Sequence, residues 1–349
     1  MKIVHIIYAV YGGGSENLLI DTVNEQVKTE QVAVIVVNDC YRESLINEID
    51  KRVKVVLLKR KVASKNPFPI IKLNYLLHKI NPDVIHIHSY SLPKILLGMF
   101  KKKLVYTIHA LNIPMDLSHK VRFMIAISDA VKQDAASRSH TPIVTIPNGI
   151  NTDKIESHDN IPKDKNTTFR IIQLGELNIQ VKGQDILIEA MAMLEEKGIR
   201  NVEVDFIGEG KDKELLQKLA IDKNVSKRIN FIGQKTREYI YSHLKEYDLM
   251  CHPSRSEGFG LVIAEGLAAG LPMLVPDVGG PYEVIANGKY GCTFANESAE
   301  DCATKIEYIM RNYNEIAAKC NNGREYVIGK YSIARMVKEY INAYKEYIQ

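Results

Sequence analysis

Glu257 and Glu265 stand eight positions apart and enclose Gly258 and Gly260 in a run that extends from Pro253 to Gly266. Glycines at the start of a helix leave backbone amides open, and the amides from Phe259 to Val262 can face an anion there. An acid on each side of such an amide cluster suits a ligand whose hydroxyls flank a diphosphate. A nucleotide sugar has that layout. A second glycine cluster, Gly12-Gly13-Gly14, precedes a helical pattern from Ser15 and would let backbone come close to a phosphate or sugar. The dinucleotide fingerprint G-x-G-x-x-G fails at its third glycine, where Asn17 stands, and no G-x-x-x-x-G-K-[ST] loop occurs. Three further side chains fall at the ends of expected strands or at a strand-to-helix turn: His88, His109 and Lys182. Open α/β sheets bind ligands at the carboxyl ends of their strands, which makes His109 a site candidate and puts His88 at a like position. His86, two residues earlier on the same strand face, is expected in the core.

These residues need a frame, and the chain supplies one twice. Val- and Ile-rich runs at 2–8, 32–37, 53–58, 84–88, 103–108, 123–127 and 143–146 read as strands, with helical patterns at 15–28, 69–80 and 129–137 between them. A polar stretch, 151–168, reads as a linker. Strands then return at 169–174, 202–207, 229–232, 249–251 and 273–275, with helices at 184–197, 213–224, 236–246 and 261–269. The sequence from Ala299 onward is helical, and 333–348 is Tyr-rich and amphipathic. Strand–helix alternation of this kind predicts an α/β protein with doubly wound parallel sheets.

The Glu257–Glu265 segment reads E-x7-E. With Pro82–Ser89, Ala126–Ser128, Ile146–Gly149, Phe206–Gly210, Ala269–Pro272 and Gly279–Val284, it resembles the retaining glycosyltransferases of family 4 (glycosyl transferases group 1). The matches run in the family's order over nearly the whole chain. The E-x7-E block is highly specific, the Pro-Asn-Gly and Gly-Gly turns less so. The resemblance implies the GT-B fold, two Rossmann-like domains facing across a cleft that holds the donor. Residues 1–160 would form the acceptor-side domain and 161–330 the donor-side domain, with a helix over 331–349 packing back toward the first. It also assigns roles. Glu257 would hold the donor sugar's hydroxyls, and the backbone of Gly258, Phe259, Gly260 and Leu261 would touch sugar and phosphates. Glu265 would take the ribose, Gly13 and Gly14 would close onto the diphosphate, and Gly208 and Gly233 would line the donor site. Lys182 would neutralise the leaving diphosphate and His109 would lie near the sugar, while His88 and Asn148 fall on the acceptor side.

One departure stands out. The family carries an arginine directly after the glycine of its G-R-L…K-G stretch, whereas Gly175 is followed by Glu176 and the stretch to Lys182 is one residue longer. A carboxylate beside a diphosphate is repelled, so Glu176 is expected to point away, leaving Lys182 alone or joined by Arg255. Charge on the departing diphosphate would be stabilised by Lys182 and the helix-start amides. No D-x-D motif occurs, and the expected enzyme works without a metal or other cofactor. The resemblance implies retention of configuration, with the leaving phosphate accepting the acceptor's proton, in synthesis of cell-surface polysaccharide or glycoconjugate. Rival readings on this architecture are a nucleotide-sugar epimerase, a two-domain solute-binding protein and an inactive family member that binds nucleotide sugar. Acceptor-dependent release of nucleotide separates the first, lack of a signal peptide disfavours the second, and Glu176 is the hint of the third.

The bulk numbers fit. A chain of 349 residues exceeds one typical domain. The five cysteines are odd in number and show no C-x-x-C spacing, which argues for a reducing, cytoplasmic compartment and against a disulfide framework or zinc site. No signal peptide or spanning segment is visible, so a cytoplasmic protein is expected. Residues 1–160 hold 21 Lys and Arg against 15 Asp and Glu, and the remainder 25 against 27. This uneven basic charge allows weak peripheral contact with anionic lipid at the membrane's inner face. The expected partners are a nucleotide sugar and a glycan or lipid-linked acceptor. Basic residues not interleaved with aromatics, and no nucleic-acid motif, point away from nucleic acid.

Overall fold

Near-continuous apolar runs of five or six residues are stable as strands only where both sheet faces are covered, which is the situation of a parallel sheet wrapped by helices. The chain solves this problem twice. The computed structural model describes residues 1–157 and 167–348. It divides into two units, one formed by Met1–Ile150 with the chain from Tyr331, the other by Asn151–Lys330. The expected boundary at 160/161 and much of the polar stretch 151–168 lie outside the described residues.

The first unit contains β1 (Lys2–Ile7), β2 (Gln31–Asn38), β3 (Lys54–Arg60), β4 (Val84–Ile87), β5 (Leu104–Ile108), β6 (Phe123–Ala126) and β7 (Ile143–Thr145). All neighbours are parallel, in the order β3-β2-β1-β4-β5-β6-β7. The order therefore reverses between β1 and β4, the switch point where such sheets open a crevice at their carboxyl edge. Helix Ile333–Ile348 belongs to this unit. Its inner face places Met336, Val337, Tyr340 and Tyr344 in one core with Ile3, Val84, Val105 and Phe123. The Arg122 guanidinium donates to the Tyr347 carbonyl at 2.7 Å, meeting the negative end of that helix.

The second unit contains β8 (Phe169–Leu174), β9 (Val202–Ile207), β10 (Ile229–Phe231), β11 (Leu249–Cys251), β12 (Met273–Pro276) and β13 (Cys292–Phe294). They are again all parallel, in the order β10-β9-β8-β11-β12-β13, with the reversal between β8 and β11. Helix starts follow local side-chain chemistry. Ser128, Thr236 and Ser298 each accept a hydrogen bond from the amide three residues on. The fold is two Rossmann-like doubly wound domains, as the strand–helix alternation predicts. The short strand β13 and the four-residue helix Ile179–Lys182 are not among the elements expected from the sequence.

Candidate functional site at the carboxyl edges of the sheets

At the switch point of the second sheet, two loops leave the ends of β8 and β11 and are laced together. Residues Ile179–Lys182 form one helical turn, started by a hydrogen bond from the Ile179 amide to the Asp212 carboxylate (2.9 Å). The amides of Arg255 and Ser256 both donate to the Val181 carbonyl, at 3.0 and 3.3 Å. Gly183 then turns the chain at φ 62°, and a Cβ on it would lie 2.0 Å from the Pro253 carbonyl oxygen. Only glycine permits both the left-handed turn and that approach. The lacing brings Lys182 onto Glu257, and the two form an ion pair with each side chain about 20% exposed.

A third group completes this cluster. His252, fully buried just after β11, places Nε2 3.6 Å from the same Glu257 oxygen. That is beyond hydrogen-bond range, and neither of its ring nitrogens has a partner among the described residues. Burial keeps the imidazole pKa below its usual value. Burial alone would raise the Glu257 carboxyl, but His252 and the Lys182 ammonium outweigh it and hold the group down at about 2. The carboxylate is thus fixed in its ionised, accepting form at neutral pH.

Gly260 is in the left-handed region at φ 90° and caps helix Leu261–Ala268. The amides of Gly260, Leu261 and Val262 have no acceptor among the described residues, so this tip offers donors and the positive end of the helix to an anion. Gly280 lies against it: a Cβ there would meet the Phe259 backbone at 2.5 Å, and the Gly280 amide donates to the Glu257 carbonyl at 3.1 Å. One turn along the helix, Glu265 accepts from the Tyr241 hydroxyl at 2.7 Å, and that hydroxyl accepts from Arg237 at 3.0 Å. Glu265 is thereby aimed by a buried phenol that no sequence pattern indicates. Gly208 and Gly233 are tied to each other, the Gly208 amide donating to the Gly233 carbonyl at 3.0 Å.

Several expectations are corrected here. Arg255 is no spare phosphate clamp: it makes a two-pronged ion pair with Asp185 at 2.7 and 2.8 Å and also donates to the Ile179 carbonyl. It fastens the two loops instead. The exposed Glu176 contributes its backbone carbonyl to Gln184. In the first unit, the amides of Tyr11, Gly12 and Gly13 all donate to one Glu16 carboxylate oxygen at 2.5, 2.6 and 3.0 Å. Gly13 therefore does not offer a free amide to a diphosphate, and of the two expected glycines Gly14, exposed at the helix start, keeps that capacity. The signal was present, since a glutamate three residues into a helix habitually reaches back to the preceding amides.

His88 does not present a ring nitrogen to an acceptor. Its Nε2 meets His5 Nδ1 at 3.0 Å and its Nδ1 meets His109 Nε2 at 3.2 Å. His86 is fully buried, as expected, between Tyr344 and Thr107. Asn148 is 3% exposed rather than displayed. Its loop serves the returning chain, with the Pro147 carbonyl accepting from Arg335 and the Ile150 carbonyl from the Ile333 amide. Of the first unit's candidates, His109 is the half-buried side chain left at the sheet edge.

Comparison with known proteins agrees with this geometry. Residues 153–326 match the family model for glycosyl transferases group 1, and residues 12–154 match that for glycosyltransferase family 4. An uncharacterized glycosyltransferase of Methanocaldococcus jannaschii is 28% identical over 236 residues, 64% of this chain and 59% of that protein. A poly(ribitol-phosphate) alpha-N-acetylglucosaminyltransferase of Staphylococcus aureus is 27% identical over 249 residues, 71% of this chain and 47% of that one. The chain thus spans about half to three fifths of the length of these two relatives. Among solved structures, HepE of Anabaena, crystallised with UDP and glucose, superposes with a TM-score of 0.83 at 17% identity, covering 99% of this chain and 100% of that one. The two family models together account for the chain from residue 12 to residue 326, and this protein belongs to the group 1 glycosyltransferases.

Proposed function

We propose that the protein is a retaining family 4 enzyme that moves a sugar from a nucleoside-diphosphate sugar to a glycan or lipid-linked acceptor in cell-surface polysaccharide or glycoconjugate synthesis. The observation that carries this reading is the Lys182–Glu257 ion pair set beside the open amides of Gly260–Val262. Glu257, held ionised, accepts hydrogen bonds from hydroxyls of the donor sugar and fixes its anomeric carbon. The amides and the Lys182 ammonium meet the diphosphate and stabilise the negative charge that grows as it leaves. Glu265, aimed by Tyr241, accepts from the ribose. The bond from anomeric carbon to phosphate oxygen breaks while the acceptor oxygen attacks from the same face, and the departing phosphate takes the acceptor's proton. No side chain is then needed as general base, and Lys182 with the helix dipole supplies the countercharge that a metal provides elsewhere.

The test is a transfer assay with UDP-, GDP- and ADP-sugars against glycan and lipid-linked acceptors, with and without EDTA. Acceptor-dependent release of nucleoside diphosphate, with the anomeric configuration retained and EDTA without effect, supports the reading. Interconversion of donor sugars without an acceptor favours an epimerase.

Peripheral contact with the cytoplasmic face of a membrane fits the same role. Between residues 51 and 115 there are 13 Lys and Arg and one acid, Asp83. Helix Phe68–Ile80 exposes Phe68 (72%), Ile71 (59%) and Tyr75 (61%) on one side, with Lys72 among them. An apolar strip within a cationic field suits an anionic bilayer surface. No helix among the described residues is long and apolar enough to cross a membrane. Cosedimentation with phosphatidylglycerol vesicles, absent with phosphatidylcholine vesicles and lost in a Phe68→Ser/Ile71→Ser/Tyr75→Ser variant, is the expected result.

A further inference from the structure

Behind His109 lies a line of side chains that the transfer chemistry above does not use. Gln26 Oε1 meets His5 Nε2 at 2.7 Å, His5 Nδ1 meets His88 Nε2 at 3.0 Å, and His88 Nδ1 meets His109 Nε2 at 3.2 Å. The successive rings are nearly coplanar, tilted by 23° and 25° with centroids 5.3 and 5.5 Å apart, as in-plane hydrogen bonding requires. His86 stacks on His88 at 4.6 Å and is itself held at both nitrogens, by Tyr344 and Thr107. Ring nitrogens of His5, His86 and His88 come within 4.8 Å of one another, a spacing at which a metal could bind. Each of those six nitrogens already has a hydrogen-bond partner, so coordination would cost the bonds that order the cluster.

A neutral imidazole has one donor and one acceptor nitrogen, so in a chain of such rings one end dictates the other. A carbonyl oxygen only accepts; with Gln26 turned so that Oε1 faces this ring, its own Nε2 buried without a hydrogen-bond partner among the described residues, His5 carries its proton on Nε2. His5 Nδ1 must then accept from His88 Nε2, and His88 Nδ1 from His109 Nε2. His109 Nδ1 is left as a bare lone pair at the carboxyl edge of the first sheet. We propose that Gln26, His5 and His88 act as positioning residues that lock His109 in the Nε2-protonated form, so that its Nδ1 is a fixed acceptor for a hydroxyl of the sugar ligand. The inference rests on the glycosyltransferase reading for the identity of that hydroxyl; the tautomer itself stands independently of it. Burial favours the neutral state on which the argument depends, lowering His5 and His109 to about 4 and His88 well below its usual value.

The experiment uses the full chain labelled with 15N-histidine, without substrate, in two-bond 1H–15N correlation spectra. His109 is expected to show a pyrrole-like Nε2 and a pyridine-like Nδ1. In His5→Phe the lock is broken and the His109 signals move to tautomer-averaged positions, with KM for the donor rising roughly fivefold and kcat nearly unchanged, the loss of one neutral hydrogen bond. His5→Asn supplies an acceptor oxygen near the place of Nδ1, and it is expected to restore both the spectrum and KM. A pyrrole-like His109 Nδ1 in the wild type overturns the inference. So does a His5→Phe protein with wild-type spectrum and KM. If His5→Phe does not fold, the wild-type spectrum and the His5→Asn variant still decide the matter. Should no nucleotide sugar be turned over while the tautomer pattern holds, the functional reading falls and the lock survives.

Discussion

At the end of β1 and β4, three imidazoles, those of His5, His88 and His109, are kept neutral and joined by directional hydrogen bonds to a glutamine carbonyl, with His86 stacked beside them. At the end of β8 and β11, an ammonium, a carboxylate and a helix tip meet instead. Both places are switch points of sheets with the same kind of strand reversal. The backbone therefore decides where a site can be, and side chains decide its chemistry. Charges act over distance and suit a reaction in which charge develops on a diphosphate. A neutral relay has no such reach, and what it fixes is which atom accepts a hydrogen bond.

If that contrast is right, the largest effect comes from the charged edge. Lys182→Ala and Glu257→Ala are each expected to lower kcat about 10²–10³-fold while circular dichroism stays native, as for loss of a transition-state donor. A Lys182→Ala enzyme at wild-type rate would break the comparison outright.

The pH dependence of stability separates the edges further. His5 has its pKa at about 4 in the fold against 6.5 for an unperturbed histidine. Between those values the unfolded chain binds more protons, so this contribution is full above pH 6.5 and is lost as pH falls through 4. Denaturant unfolding at pH 7.5 and 4.5 should differ by about 2–3 kcal/mol from this ring, and the difference should shrink in His5→Asn. Glu257 answers in another window. Its carboxyl, lowered to about 2, contributes stability that is present above its ordinary value of 4.5 and is lost as pH falls through 2.

Smaller effects sharpen the picture. Tyr241→Phe removes a donor to Glu265, and a donor KM raised about five- to tenfold with kcat nearly constant is expected from steady-state kinetics. Arg255→Ala unfastens the two loops and should cost about 1 kcal/mol in denaturant unfolding, given the partial exposure of its pair with Asp185. A large loss of kcat in that variant would instead return Arg255 to the chemistry.

Much of this was legible in the residues. The strands at 169–174 and 202–207 and the helix at 333–348 coincide with their expected bounds, because the periods that announce them are properties of neighbours along the chain. Glu257, the helix start bracketed by Gly258 and Gly260, and the lysine before Gly183 were visible for the same reason. What could not be read was how finite hydrogen-bonding capacity is divided among residues far apart in sequence. His88 spends both nitrogens on His5, 83 residues away, and on His109, 21 away. Arg255 gives its fork to Asp185, 70 positions off.

The sequence by itself determined two doubly wound units and the residue types at their carboxyl edges. Tertiary structure alone decided which of those groups are consumed by one another and which face outward: Glu16 over the amides of Tyr11–Gly13, Tyr241 beneath Glu265, Lys182 on Glu257. The reason is geometric. Periodicity fixes the face on which a side chain lies, but a hydrogen bond needs its partner within about 3 Å, and only the folded chain sets that distance.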